Sequence, residues 1–548
     1  MKQVFNKNNR ILIGFVILIA LLVLRCYYSF DNLDESYYLA CVDRFWKGDG
    51  PIIDEWHPTQ LFFLMQLPVY SLYRLIVPNG EGVYLFFRIF SVTLSAVTAF
   101  IVYKTLNKQY RSISAFLCAV LILSFSRSNI QGISYYGVFV DSICLMLLCE
   151  ELRLRRNKDS LLFGVLVGLL YSISVACMPY QIVLLVPVLV YYCHKRLHRT
   201  GIGFLTGMSA VACYYLSLFQ MLHVNLLQAW RLLPFLLMDE EHTYGYVRRM
   251  ASAFKLTLEA MTIPGCVIFG LMLLLVFLKR NSEKTVWVFG FIGSAISIAN
   301  NIKYADRAYV IFVFYMIPIL IMMWKQGIIK HKSFPLYLIL LGVIEAIVFT
   351  SGSNMNIDAL STGMVIAAVG CVLALDRYYR EENLLRKVGF IFSLLITIVA
   401  YGQRILITAN DTSLSNMTCK VDHGVLKGIT VSQEFEERYN DYLDDISLID
   451  MKNQRTRVYI ADAPSWLYVA SNWKCSNSST WGRVVLSPKM DKYYKLHPDK
   501  YPDVIFMGKS ETSTKEIDTR WVPSYILEDF NSGYRYIEGK ALDIYVKD

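Results

Sequence analysis

Asp34 and Glu35 form an acidic pair directly after the first apolar run of the chain, and a second acidic pair, Asp54 and Glu55, follows with His57 in "DEWHPTQ". Carboxylates can take a proton from an attacking hydroxyl. A histidine held in an extended or turn segment by the following Pro58 can donate to a phosphate or bind a metal, or simply sit at an interface. Adjacent helical side chains point about 100° apart, so Asp34 and Glu35 would divide the work. One would face a cleft while the other caps the helix through "YYLACVDRFWKG", a stretch expected to be amphipathic. Arg88 lies one turn inside an apolar run, where a guanidinium either snorkels to water or meets an anion such as a lipid-linked phosphate. Asp141, in "SYYGVFVDSIC", is deeper and needs a partner. Lys303 and Arg307, in "NNIKYADRAYV", could grip phosphate or pair with neighbouring acids. "MDEEH" could hold a metal through Glu241 and His242, or be a solvated acidic turn.

The elements that must position these groups are membrane helices. The chain has 548 residues, 55% of them hydrophobic, 18% charged, and a mean hydropathy of +0.40. Apolar runs of about twenty residues, each able to cross a bilayer, are read at 11–29, 83–103, 112–127, 133–150, 160–176, 178–193, 201–221, 258–278, 285–300, 308–324, 333–351, 356–375 and 388–408. The first is an uncleaved span because no small-residue cleavage site follows it. Alternate connections each carry three or four basic residues, from Lys2, Lys7 and Arg10 to Arg377, Arg380, Arg386 and Lys387. That bias puts the N-terminus in the cytoplasm and, with thirteen spans, everything beyond residue 409 outside. Segment 58–77 would reverse the alternation if it spanned, so an amphipathic helix along the membrane surface is expected there. Segment 222–257 mixes aromatics and charges in the same way.

Residues 1–408 are thus a helical membrane domain with an elaborate first outer loop at 30–82. Residues 409–548 are polar and read as a small extracytoplasmic α/β domain, with strands in "TRVYIADA" and "YPDVIFMG", a helix in "PSWLYVASNW" and a closing hairpin in "YRYIEGKALDIYVKD". This tail has 18 basic and 21 acidic residues, so the net charge of +10 sits in the membrane half. Basic residues spread over cytoplasmic loops are topology signals, which argues against nucleic acid as a partner. Of twelve cysteines, only Cys41, Cys419 and Cys475 fall away from the spans, Cys177 sitting at the junction of two; pairing of Cys419 and Cys475 is left open. Walker, GxSxG and HExxH motifs are absent.

The acidic pair after span one, then "YY…A", "G…P" and "HP" and an amphipathic helix, resembles the GT-C superfamily of membrane glycosyltransferases. The likeness is to the bacterial branch that includes protein O-mannosyltransferases and the lipid A aminoarabinose transferase. It covers most of residues 10–325. Arg88 and Asp141 match residue types that begin the family's second and fourth spans, and "DRAYV" echoes its late "RY". The resemblance implies a sugar moved, with inversion, from a polyprenyl-phosphate donor to an exported glycan, lipid or protein acceptor. Asp34, with Glu35 beside it, would be the base or a ligand of a divalent metal, the one cofactor in question. His57, Arg88, Lys303 and Arg307 would meet the donor phosphate. Two departures stand out: Thr59 replaces a second proline, and "VACMPYQ" lacks the family's lysine. The competing class is a transporter or flippase of lipid-linked saccharides, expected to show paired halves with polar groups near the midplane. Here the polar groups gather on one face and no repeat is seen. A polymerase using a diphosphate-linked donor would carry a larger late outer loop.

Overall fold

The structure is a computed structural model that describes residues 2–156, 158–236, 245–278, 283–304, 306–327, 329, 333–353, 356–378, 384–408, 413–449, 456–481, 488–509 and 533–547. Helix α1 (Lys2–Arg25) is followed by α2 (Asp34–Trp46), α3 (Gln60–Ile76), α4 (Val83–Leu106), α5 (Ser112–Ser124) and α6 (Tyr135–Arg156). Then come α7 (Leu161–Cys177), α8 (Leu185–His194), α9 (His198–Met221), α10 (Leu226–Leu236) and α11 (Tyr246–Leu278). The bundle closes with α12 (Glu283–Asn300), α13 (Arg307–Lys325), α14 (Phe334–Ser351), α15 (Asn356–Tyr378) and α16 (Leu384–Leu406). Every apolar run expected to span falls on a helix. Among the described residues, α4, α9, α11, α13, α14, α15 and α16 are long and apolar enough to cross a membrane. The chain is a multi-pass membrane protein.

Inside a bilayer, helices associate through close packing rather than water exclusion. Gly164 and Gly168 of α7 face Gly203 and Gly207 of α9 so closely that a Cβ at any of the four would stand 2.1–2.3 Å from a carbonyl oxygen of the other helix. Gly363 of α15 meets α14 in the same way, 2.1 Å from Ala346 N. Helix α15 is almost wholly enclosed, and Ser114 of α5 donates to its Asp376 at 2.6 Å. Helix α11 starts twelve residues before the expected span at 258. It is broken at Thr262 (φ 65°, ψ 162°), two residues before Pro264. The carbonyls freed at the break are met by Ser297 of α12, donating to Met261 O (2.8 Å), and by Asn301 just past its end, donating to Ala260 O (2.7 Å).

The tail contains β1 (Cys419–Lys420), β2 (Thr430–Val431), α17 (Gln433–Ser447), β3 (Arg457–Ala461), α18 (Trp466–Ala470), β4 (Lys474–Cys475), α19 (Pro488–Leu496), β5 (Val504–Gly508), β6 (Tyr534–Glu538) and β7 (Leu542–Lys547). Five strands form one sheet in the order β4-β3-β5-β7-β6, with β3 parallel to both β4 and β5. The β6–β7 hairpin is fixed at its turn by Asp445 of α17, which accepts from the backbone N–H groups of Lys540, Ala541 and Leu542 (2.6–2.8 Å). Cys419 and Cys475 are both free.

The tail sits on the segments expected to share its side of the membrane. Trp466 N donates to Ser36 Oγ (2.6 Å), Trp56 N to Ser478 O (2.6 Å) and Gly82 N to Gly424 O (3.0 Å). This corrects the expectation for α2. An amphipathic helix would bury one stripe, whereas α2 is buried from Glu35 to Phe45 without a break. The bundle covers one side and the tail the other, so its charges are paired inside: Asp43 with Lys47 (2.5 Å) and with Tyr70 (2.6 Å), Arg44 with Asp49 and Glu55 (3.0 Å each). Helix α3 keeps the two-sided character, burying Phe62, Phe63, Leu67 and Tyr70 and exposing Leu72, Leu75 and Ile76.

Candidate functional site

The acidic pair opens α2, and neither member caps it. Asp31 does that work, its carboxylate accepting from the N–H groups of Leu33 (3.3 Å) and Glu35 (3.1 Å). Burial, with Asp34 beside it, pushes the Asp31 carboxyl up to about 7. Glu35 turns inward and holds Arg88 through two bonds, Nε to Oε1 at 2.6 Å and a terminal nitrogen to Oε2 at 2.7 Å. The remaining N–H groups of Arg88 go to the carbonyls of Cys26 (2.7 Å), Tyr28 (3.4 Å) and Ser29 (2.7 Å). A guanidinium has five donors, so none is left over for a phosphate in this arrangement.

Asp34 points the other way. Its side chain stays about 20% exposed, and Oδ2 lies 3.2 Å from a terminal nitrogen of Arg127. Arg127 is buried over the ring of Tyr136 (4.3 Å to the centroid), and its Nε has no hydrogen-bond partner. It opens a tight turn, Arg127–Asn129, between α5 and α6, in which Ser128 and Asn129 both adopt left-handed backbone (φ 50° and 55°). Such backbone outside glycine persists only when its surroundings hold it. Asp306 accepts from Ser128 N (2.5 Å), Arg404 donates to Asn129 Oδ1 (3.2 Å) and Ile130 O (2.9 Å), and Asn129 donates to Gln403 O (3.1 Å). Burial, with Asp358 nearby, pushes the Asp306 carboxyl up to about 8.

Beside this turn is a narrow cavity of about 20 Å³, room for little more than a water. Its wall includes the hydroxyls of Ser91 and Ser95 on α4, Ser126 and Ser134 around the turn, and Arg404. Arg404 is buried and its Nε is unpartnered, while Ser91 and Ser95 on the opposite wall are only partly buried. Asp141 of α6 accepts from Ser95 Oγ (3.4 Å).

The other expected site residues separate into three places. Arg307 opens α13 next to Asp306, with Asn301 Oδ1 at 3.2 Å, Asp358 at 3.9 Å and the Tyr304 ring beneath it; Lys303 stands over the same ring. His57 is enclosed between the rings of Tyr37 (4.9 Å) and Trp481 (5.4 Å), with Thr59 Oγ1 2.9 Å from Nδ1. Asp54 and Glu55 belong to the contact with the tail. Lys500 lies 2.9 Å from Asp54, and Thr480 N donates to Glu55 at 3.1 Å. Asp49 joins them, meeting Arg44 (3.0 Å), Lys500 (3.0 Å) and Arg457 (3.4 Å). Burial alone would raise Asp49, but those three cations hold it well below the usual carboxylate range. Glu241 and His242 lie outside the described residues.

The sequence reading missed Arg127, Arg404, Asp31 and the role of Asp306. A signal was present for the first two. Arg127 is the lone basic residue in a connection where the charge bias expects none, and Arg404 stands at the end of the last span on that same side. Among the described residues, no three His, Cys, Asp or Glu side chains are grouped so as to hold a metal ion.

No family model matches the chain, and no curated protein matches it. Among solved structures it is similar to the crystal structure of ArnT from Cupriavidus metallidurans bound to undecaprenyl phosphate, at 13% identity and a TM-score of 0.41, over 97% of this chain and 98% of that one.

Proposed function

We propose that this chain is a membrane glycosyltransferase that moves a sugar, with inversion, from a polyprenyl-phosphate donor to an exported glycan, lipid or protein acceptor. The observation that supports it most is the division of labour at the start of α2. Glu35 is consumed by Arg88, while Asp34 alone keeps an exposed edge beside a buried cation. The tail-bearing side is taken as extracytoplasmic, in line with the basic residues of the opposite connections.

In this reading Asp34 accepts the proton of the attacking acceptor hydroxyl as its oxygen bonds to the anomeric carbon. The bond from that carbon to the phosphate oxygen breaks on the opposite side, and the electron pair leaves with the polyprenyl phosphate. One displacement inverts the centre. Arg127 and Arg404, fixed by the turn, offer positive charge where the departing phosphate gains negative charge, supported by the hydroxyls of Ser126 and Ser134. Ser91 and Ser95 open toward the apolar face of α4, the side from which a lipid chain would approach. Arg307, next to Asp306, and Lys303 are proposed as further contacts for the donor phosphate, and so is His57, although it stands apart from them between Tyr37 and Trp481.

The experiment is transfer of radiolabelled sugar from a polyprenyl-phosphate donor in membranes containing wild type or Asp34→Asn. A fall of about 10²–10⁴-fold is expected for loss of a general base. Equal transfer by both proteins would remove Asp34 from the reaction.

A further inference from the structure

Helix α10 has two apolar faces, and only one of them is covered. Ala229, Leu232 and Leu236 are buried against Met490 and Tyr493 of the tail, and Phe235 stacks on Trp56 (5.4 Å, 19°) with Lys492 over its other side (3.9 Å). At about 100° per residue, Leu226, Leu227, Trp230 and Pro234 fall together in a sector about 140° away. That sector is bare: Leu226 is 54% exposed, Leu227 61% and Trp230 72%. Arg231, also exposed, flanks it.

We infer that this bare face is seated in the headgroup layer of the bilayer on the tail-bearing side, so that α10 fastens the tail to the membrane. Three observations select lipid as the occupant. The helix begins four residues after α9, and four residues reach at most about 14 Å, so α10 cannot leave the membrane surface. Its bare face lies on the side away from the tail and is covered by no described part of the chain. The helices before and after it in the chain also carry exposed apolar side chains, Leu216 and Met221 on α9 and Val247 and Phe254 on α11. An indole with leucines on one face and an arginine at its edge is the composition of an interfacial helix. This inference does not depend on the reaction proposed above.

The test uses the full chain in vesicles of phosphatidylcholine and phosphatidylglycerol, comparing tryptophan emission of wild type and Trp230→Phe. The difference between the two is the Trp230 signal. It is expected to be blue-shifted, quenched by a nitroxide near the top of the acyl chains and insensitive to iodide in the water. A Trp230 signal that emits as in water and is quenched by iodide would overturn the inference, showing the face to be free; a blue-shifted signal untouched by both quenchers would overturn it too, showing the face to cover protein. Should Trp230→Phe lower the yield of folded protein, Leu226→Trp adds an indole to the same face and is read by the same two quenchers.

Discussion

Glu35 and Arg88 meet through two N–H···O bonds of 2.6 and 2.7 Å, 53 residues apart in the chain and both buried. They join α2 to α4 and, through the carbonyls of Cys26 and Ser29, to the end of α1. Breaking such a pair leaves a charge without its counter-charge in a low-dielectric setting, a loss of about 3–5 kcal/mol. Glu35→Gln is expected to lower the unfolding transition of the detergent-solubilised protein markedly. Arg88→Met paired with Glu35→Gln should recover part of the loss, since no unmatched charge is then left. Thermal unfolding of the single and double variants reads this directly. If the single variants unfold like wild type, the pair does not hold the helices together.

Arg127 has the opposite expectation. It caps no helix, and the carboxylate paired with it, Asp34, is partly exposed, so shortening it costs packing over Tyr136 and little more. Arg127→Lys keeps the charge but loses the planar fork and the stacking. Unfolding temperature should shift by a few degrees at most, while sugar transfer falls by about 10²-fold or more if the guanidinium faces the departing phosphate. A variant with normal transfer would assign Arg127 to the fold alone.

Asp306 predicts a pH effect whose sign can be worked out. Its carboxyl is raised to about 8 in the folded chain from an ordinary 3.8, so the folded state binds the proton more tightly than the unfolded one. Stability from this group is full below about 4, and it declines as pH rises to about 8. Asn at this position keeps an acceptor for Ser128 N–H and cannot ionise. The gap in unfolding temperature between Asp306→Asn and wild type should therefore widen in favour of the variant from pH 5 to pH 8.5. A gap that is constant with pH contradicts the reading. Other titrating groups, Asp31 among them, cancel in the comparison.

Much of the bundle was legible because a membrane helix is written in contiguous residues. Runs such as 201–221 and 333–351 announce themselves, and α9 and α14 lie there. The strands of the tail sheet were legible for a related reason, since "RVYIA" and "VIFMG" are short apolar runs with both faces covered. The charged partners were not legible. That Glu35, and not Asp34, turns to Arg88 depends on the rotation of α2 about its axis, which is set by the tail packing on its far side. The expectation of an amphipathic α2 failed for the same reason: "DESYYLACVDRFW" mixes polar and apolar residues, but its polar groups face buried partners contributed by residues hundreds of positions later, such as Tyr493 on Arg44. Arg127 and Arg404 were visible as single letters, yet their meeting across the turn at Asn129 is a long-range fact.

Asp49 gives the last prediction. It gathers Arg44, Lys500 and Arg457 within 3.4 Å, and Lys500 also reaches Asp54. One carboxylate thus links the end of α2 to strand β3 and to the turn before β5. Asp49→Asn would leave three cations around a neutral group, and removing one side of a buried charge cluster costs about 3–5 kcal/mol. The loss should fall on the seam between α2 and the sheet, not on the membrane bundle, because none of the bundle helices contributes to the cluster. Hydrogen exchange is expected to rise in β3, β5 and the α2 C-terminus while α15 stays protected. Lys500→Met in the same chain restores the balance of charge and should recover part of the protection, a coupling that independent sites would not show. Uniform exchange across the chain in Asp49→Asn would mean that the seam and the bundle unfold together, and that the tail is not held by this cluster as a separable unit.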